Sequence, residues 1–161
     1  MSVSNLNPRQ CSVLLNKTFT HQLKNISFDN LDVQIIIKIL KDGRAFSHFI
    51  EPWLQEYYEI KHVEGCKGYD FTDVNYSDTK YDEKTFTKNG CKFCPSSMLG
   101  TGRKFNKELF EEKAKNLVYI IVSNINFPEI KIKFIDGPEL LKLYPKGDIP
   151  FNNHDKFFNN E

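Results

Sequence analysis

The apolar positions in the first third of the chain recur with the period of a helix. Ser27 or Asp29 can cap a helix that runs to about Lys41. A second helical pattern covers residues 44–58, and Pro52 within it predicts a kink or a break. The pattern therefore predicts two consecutive helices, each with one apolar face, near the N-terminal end.

The second half of the chain shows the patterns of strands. The run LVYIIV at 117–122 is short, apolar and β-branched, which is typical of a buried central strand. The run IKIKFI that follows alternates strictly, so Lys131 and Lys133 are expected on a polar face. Its other face carries the apolar residues Ile130, Ile132 and Phe134.

Helical patterns flank these strands. Asn106 can cap a helix through Asn116, and a short helix is expected around Pro138 to Leu143, before an irregular tail. The order of the elements predicts a mixed α/β fold, with a small central mixed β-sheet flanked by helices. No repeat or linker interrupts residues 1–161, so one domain is expected.

Charge and hydropathy narrow the classes of function. The 161 residues carry 22 basic and 21 acidic side chains, a balance that argues against a purely electrostatic DNA binder. No run approaches the roughly 18 consecutive apolar residues of a membrane span, and the first residues lack the pattern of a secretory signal. A cytoplasmic protein with reduced cysteines and no membrane partner is therefore expected.

The segment at 68–88 carries the most informative chemistry. It reads as two strands around a turn, and because side chains alternate along a strand, Asp82 and Lys84 share one face. Asp70 on the partner strand can then lie close to Asp82. Two carboxylates and an ammonium at one point are costly to assemble, and they indicate metal-assisted chemistry on a phosphate.

These residue types suit magnesium. Mg²⁺ prefers oxygen ligands, and one or two carboxylates plus a substrate phosphate suffice to hold it. Asp70 and Asp82 would bind one or two such ions, and the backbone carbonyl of Glu83 is a further ligand because its side chain points away. Lys84 could orient or activate the attacking water and stabilise the transition state as a point charge.

The order Gly-x-Asp, turn, acid-x-Lys resembles the PD-(D/E)XK nuclease superfamily, and within it the small type II restriction endonucleases. Asp70 matches the first acid and Asp82-Glu83-Lys84 the acid-x-Lys element, although Tyr69 replaces the proline and Asp replaces the commoner Glu. The wider run from GRAFSHF to IKIKFIDG is similar to enzymes that cut within GC-N-GC sites.

The resemblance implies a restriction-endonuclease-like fold and Mg²⁺-dependent cleavage of double-stranded DNA in a prokaryotic cytoplasm. It also implies a homodimer, since two-fold symmetry matches a palindromic site, and the apolar helices at about 27–58 could form its interface. A non-specific repair or recombination nuclease of the same superfamily is an alternative.

Other residues compete for the same roles. Asp73 could replace Asp70, but on a strand it would face the opposite side. Asp78 and Lys80 form a second acid-x-Lys pair, although Asp78 looks like part of the turn. Members of the superfamily often add a carboxylate from a preceding helix, and Glu51 is preferred here over Glu56, Glu59 and Glu64. On the motif alone, a surface hairpin with incidental charges explains the pattern too.

The loop PSSMLGTGRK at 95–104 follows the acid-x-Lys strand and is a candidate for contacts with DNA. Its glycines permit close approach to a phosphate, and Arg103 could pair with a phosphate or with guanine. An ordinary surface loop would have a similar composition. The predicted DNA-binding residues are Ser96, Ser97, Thr101, Arg103 and Lys104.

Four potential zinc ligands flank the hairpin on its two sides. The spacings His62-x3-Cys66 and Cys91-x2-Cys94 suit a structural Zn²⁺ that would clamp the base of the hairpin. Packing of the cysteines with Phe93 and Pro95 is the simpler explanation, and it is preferred over zinc. A zinc-stabilised DNA-binding module without catalysis is therefore the alternative from another functional class.

Overall fold

The computed structural model describes residues 15–65, 68–76 and 78–159, and within them it shows a mixed α/β fold, as the sequence predicts. The strands are β1 (Thr18–Gln22), β2 (Ile60–His62), β3 (Phe71–Asp73), β4 (Lys80–Phe86), β5 (Cys91–Lys92), β6 (Leu117–Ser123), β7 (Glu129–Asp136) and β8 (Asp148–Ile149). The helices are α1 (Val33–Leu40), α2 (Gly43–Tyr57), α3 (Lys107–Lys115), α4 (Gly137–Leu143) and α5 (His154–Asn159). None of the helices in these ranges is long and apolar enough to cross a membrane.

Six strands form one mixed sheet in the order β1-β7-β6-β4-β3-β2. At its centre β4 runs parallel to β6 and pairs with it along its whole length, from Lys80 to Phe86. All other neighbours in this sheet are antiparallel. The remaining strands, β5 and β8, pair with each other in a separate two-stranded ribbon.

Both faces of the sheet are covered, and β6 therefore contributes to two apolar cores. Its residues Val118, Ile120 and Val122 pack with α2 on one face. The side chains of Tyr119 and Ile121 pack on the other face with α3, α4 and α5. Every residue of β6 is buried, so the prediction of a central buried strand at 117–122 is confirmed.

The two N-terminal helices differ from their predicted bounds. The first begins only at Val33, because Asp32 is its N-cap and accepts a hydrogen bond from the amide of Gln34 at 2.7 Å. The start at Ser27 or Asp29 was therefore wrong. The second helix continues through Pro52 without a break, since its apolar face packs against the sheet on both sides of the proline.

The C-terminal tail is regular, which corrects two expectations. Residues 148–159 form β8, a short 3₁₀ turn and α5 instead of an irregular tail. Because α5 packs on the sheet, Lys133 is only 4% exposed rather than on a polar face. Its Nζ donates to the carbonyl of Phe157 at 2.7 Å and lies 4.8 Å from the centre of that ring.

A buried carboxylate fixes the turn between β3 and β4. The Oδ1 of Asp73 accepts hydrogen bonds from the amides of Asn75 and Tyr76, at 2.9 and 3.0 Å. Its Oδ2 accepts from the hydroxyl of Tyr81 at 2.8 Å. Asp73 therefore faces away from Asp70, as expected, and its role is structural.

We predict that Asp73→Ala lowers the free energy of unfolding by about 2–4 kcal/mol, because a buried hydroxyl and two turn amides lose their acceptor. Urea denaturation followed by circular dichroism measures the change. Asp78→Ala, which removes an exposed carboxylate from the same turn, is the matched control and should change stability by less than about 0.5 kcal/mol. Equal losses in the two variants would contradict the role of Asp73.

Candidate active site

The site forms where β3 separates from β4. The two strands share only two residue pairs, Phe71 with Tyr81 and Thr72 with Lys80. Beyond Tyr81, β4 continues with only β6 beside it among the described strands. The open edge of β4 is therefore available to side chains instead of to a neighbouring strand.

Asp70 occupies the first position of this open edge. Its amide donates to the carbonyl of Tyr81 at 2.9 Å, which continues the ladder by one step. Its Oδ2 then accepts a hydrogen bond from the amide of Glu83 at 2.9 Å. A carboxylate thus replaces the acceptor that the next residue of a longer β3 would have supplied.

The structure brings Asp70, Asp82 and Lys84 together. The Nζ of Lys84 lies 3.1 Å from Oδ2 of Asp82, on the face of β4 that both residues share. The carboxyl of Asp70 lies close enough to that of Asp82 to raise its pKa. The three groups therefore meet at one point beside the open edge.

Burial is the main cause of the electrostatic cost of this arrangement. It raises the pKa of Asp82 to about 7, with a further contribution from Asp70, and the nearby Lys84 offsets only part of this increase. For Lys84, burial lowers the pKa, but the surrounding carboxylates raise it more, and the net value lies above the usual one. Lys84 is therefore an ammonium at neutral pH, suited to stabilising negative charge rather than to accepting a proton.

Helix α2 brings another carboxylate towards the site. Burial and the charge of Asp70 raise the pKa of Glu51, the carboxylate preferred from the sequence. Its Oε2 lies 3.3 Å from Nε2 of His62 on β2. The amide of His62 donates to Oε1 of Gln55, one helical turn further along α2. From the sequence, His62 was only a candidate zinc ligand. Its contact with Glu51, eleven residues earlier, depends on the packing of α2 against β2 and leaves no local sequence pattern.

The donor set fits Mg²⁺. In the described part of the chain, no group of three or more His, Cys, Asp and Glu side chains could hold a metal ion. Mg²⁺ does not need three, because substrate phosphate and water complete its coordination. Asp70 and Asp82 supply carboxylate oxygens, and the carbonyl of Glu83 points to the same side of β4 as its amide, which already reaches Asp70.

The predicted DNA-binding loop is largely exposed, and one hydrogen bond joins its two ends. Ser96 and Ser97 lie in a 3₁₀ turn, and Thr101 and Lys104 are exposed beyond it. The guanidinium of Arg103 donates to the carbonyl of Ser96 at 2.6 Å. Part of the donor capacity of Arg103 is therefore used within the loop.

The cysteines lie in the apolar core that contains Tyr119 and Phe93, and burial raises the pKa of both Cys91 and Cys94. His62 lies against Glu51 and the ring of Phe71, and Cys66 is outside the described residues. This environment favours core packing over the zinc clamp.

No protein-family model, curated protein or solved structure matches the chain. The geometry of the site, with the sequence motif, therefore carries the functional argument.

The side chain of Glu83 is buried on the opposite face of β4, under α2. Its carboxyl lies 3.0 Å from the hydroxyl of Thr85. The hydroxyl of Thr85 lies 3.1 Å from that of Ser47 on α2. The hydroxyl of Ser47 in turn donates to the carbonyl of Gly43 at 2.9 Å. Each hydroxyl has one hydrogen to donate. The hydroxyl of Thr85 donates to the carboxyl of Glu83, and this bond favours the ionised form. Burial has the larger and opposite effect, and it raises the pKa of Glu83 well above the usual 4.5.

We predict that Glu83→Gln stabilises the protein at neutral pH without metal, because the amide oxygen can accept the hydrogen bond from Thr85 and the neutral side chain has no ionised form to bury. Because the pKa of Glu83 is higher in the folded protein than in the unfolded chain, the stability of the wild type falls as the pH rises above about 4.5. For each unit by which folding raises the pKa, the free energy of unfolding falls by about 1.4 kcal/mol once the pH is above the raised pKa. Thermal melts in EDTA at acidic and neutral pH measure the gain, which should vanish at acidic pH.

The exposed Glu64 provides the control, and Glu64→Gln should leave the melting temperature unchanged at both pH values. A Glu83→Gln protein that melts below the wild type at neutral pH would show that the buried carboxyl is ionised.

Proposed function

We propose that the protein is a magnesium-dependent endonuclease, of the type II restriction kind, that hydrolyses phosphodiester bonds of double-stranded DNA at a short specific site. The observation that carries the proposal is the convergence of Asp70, Asp82 and Lys84 at the open edge of β4. The sequence resemblance to the PD-(D/E)XK superfamily supports it independently of the contacts.

The residues divide the chemistry among them. Asp70 and Asp82, with the carbonyl of Glu83, would hold one or two Mg²⁺ ions beside the scissile phosphate. When bound, the ion supplies activation of water and neutralisation of charge on the phosphate. Lys84, held in place by Asp82, stabilises the negative charge that develops on the phosphate oxygens. Glu51 adds negative charge at the border of the same site.

The proposed active form is a homodimer, because two active sites are needed to cut both strands of a palindromic site. Helix α1 supports this. Its side chains Ile35 and Ile39 are 47% and 49% exposed, one turn apart on a single face, and Leu31 precedes them at 43%. Lys38 borders this face three residues after Ile35, so the contact between two copies would centre on the apolar side chains of Leu31, Ile35 and Ile39.

We predict that Asp82→Ala and Lys84→Ala each reduce Mg²⁺-dependent cleavage of plasmid DNA by at least about 100-fold, because each removes a group that stabilises the transition state. Both variants should keep the circular dichroism spectrum of the wild type. Gel analysis of plasmid incubated with and without Mg²⁺ measures the effect.

Asp78→Ala and Lys80→Ala are matched controls, since they remove the second acid-x-Lys pair of the same hairpin, and both should cleave normally. Undiminished cleavage by either active-site variant would refute the assignment. Discrete wild-type fragments are expected. Smeared products would indicate a non-specific nuclease, and a mobility shift without cleavage would indicate a binding module.

We predict that the double variant Ile35→Lys/Ile39→Lys shifts the protein from dimer to monomer in size-exclusion chromatography with light scattering, because it places four like charges in a two-fold contact. Leu143→Lys, on α4, changes a side chain that is 56% exposed and should leave the dimer intact. A monomeric wild type would contradict the proposed assembly.

A further inference from the structure

A polar groove opens beside the N-terminal end of α2. Two adjoining cavities, of about 630 and 610 Å³, share Asp42, Gly43, Thr87 and Asn89 in their walls. One extends along α2 and the end of β4, and the other extends between α1 and the segment after β6. Together they form the α2 groove, and the loop at 95–104 contributes no residue to these walls.

The α2 groove is strongly basic. Its walls contain five basic residues, all of them exposed: Lys38, Lys41, Arg44, His48 and Lys88. The acid in these walls is Asp42, and its Oδ1 accepts hydrogen bonds from the amides of Arg44 and Ala45 as the N-cap of α2. Among the described residues, none of the lysines or Arg44 forms an ion pair. The positive charge is therefore free to bind an anion.

Helix α2 connects the groove with the candidate active site. Arg44, His48 and Glu51 are three to four residues apart, so they follow one face of the helix. The charge of His48 acts on Glu51, which lies beside Asp70. At 1.5 Å per residue, Arg44 is about 10 Å from Glu51 along the helix axis.

This distance matches a nucleic-acid strand. The phosphates of one DNA strand are about 3.4 Å apart along the helix axis, so about 10 Å corresponds to three nucleotides. A DNA strand with one phosphate at Asp70 and Asp82 would then pass around the open edge of β4 and reach the α2 groove about three nucleotides away. The side-chain amide of Asn89 adds a hydrogen-bond donor to the same wall.

We propose that the α2 groove binds the sugar-phosphate backbone of the DNA strand about three nucleotides from the scissile phosphate. The inference rests on the proposed nuclease function. Because the net charge of the chain is only +1, its contacts with DNA phosphates must come from a local cluster of basic side chains, and the groove supplies such a cluster.

Fluorescence anisotropy with a labelled DNA duplex in EDTA tests the groove separately from cleavage. The double variant Lys41→Ala/Lys88→Ala should bind more weakly. The slope of the logarithm of the association constant against the logarithm of the salt concentration should become shallower by about 1.8. Two lost phosphate contacts, each worth about 0.9, account for this change. Lys41→Arg/Lys88→Arg should restore the slope, because it retains both charges.

The matched control is Lys113→Ala/Lys142→Ala, which removes two exposed lysines from α3 and α4 on the other side of the sheet and should keep the wild-type slope. Equal slopes for the groove variant and the wild type would overturn the proposal, whether or not the protein cleaves DNA. A mononucleotide that competes as well as the duplex at equal phosphate concentration would overturn it too.

The plasmid assay with Mg²⁺ keeps the two proposals distinct. A groove-dependent slope without cleavage under any condition would support the α2 groove and overturn the nuclease. Cleavage by a wild type whose binding does not depend on Lys41 and Lys88 would overturn the groove alone.

Discussion

The hydrogen bond from the amide of Glu83 to Asp70 is the contact on which the site depends. It forms because β3 leaves β4 after two residue pairs, so the next amide of β4 needs another acceptor. Supplying that acceptor from a side chain places a carboxylate directly across from Asp82. A β3 longer by two residues would have closed the edge with backbone hydrogen bonds.

Asp82 and Glu83 are neighbours on opposite faces of β4, and burying their two carboxyls costs free energy of folding. Burial raises the pKa of Asp82 on the side of the candidate site and of Glu83 under α2. Each change disfavours the ionised form and lowers stability at neutral pH. The full-length pairing of β4 with β6, whose residues are all buried, offsets that cost and keeps the two side chains in fixed positions. Perturbed groups on a rigid strand beside an open edge are typical of a functional site.

Helix α2 connects three parts of the molecule. Its apolar side packs Phe46, Ile50 and Leu54 into the core, and this packing explains why the helix passes through a proline without a break. Ser47 on the same helix contacts the hydroxyl of Thr85, which is hydrogen-bonded to the carboxyl of Glu83. Its outer face carries the basic groove at one end and Glu51 towards the other. A single packed helix therefore sets the position of the α2 groove relative to the acids of the hairpin.

The sequence by itself determined what depends on neighbours a few residues apart. Alternation placed Asp82 and Lys84 on one face, and the cap at Asn106 located α3, because both follow from backbone periodicity and local hydrogen bonds. Only the tertiary structure decided the parallel pairing of β4 with β6, the burial of Lys133 and the contact of Glu51 with His62. These depend on which distant segment covers each face, and no local pattern encodes that choice.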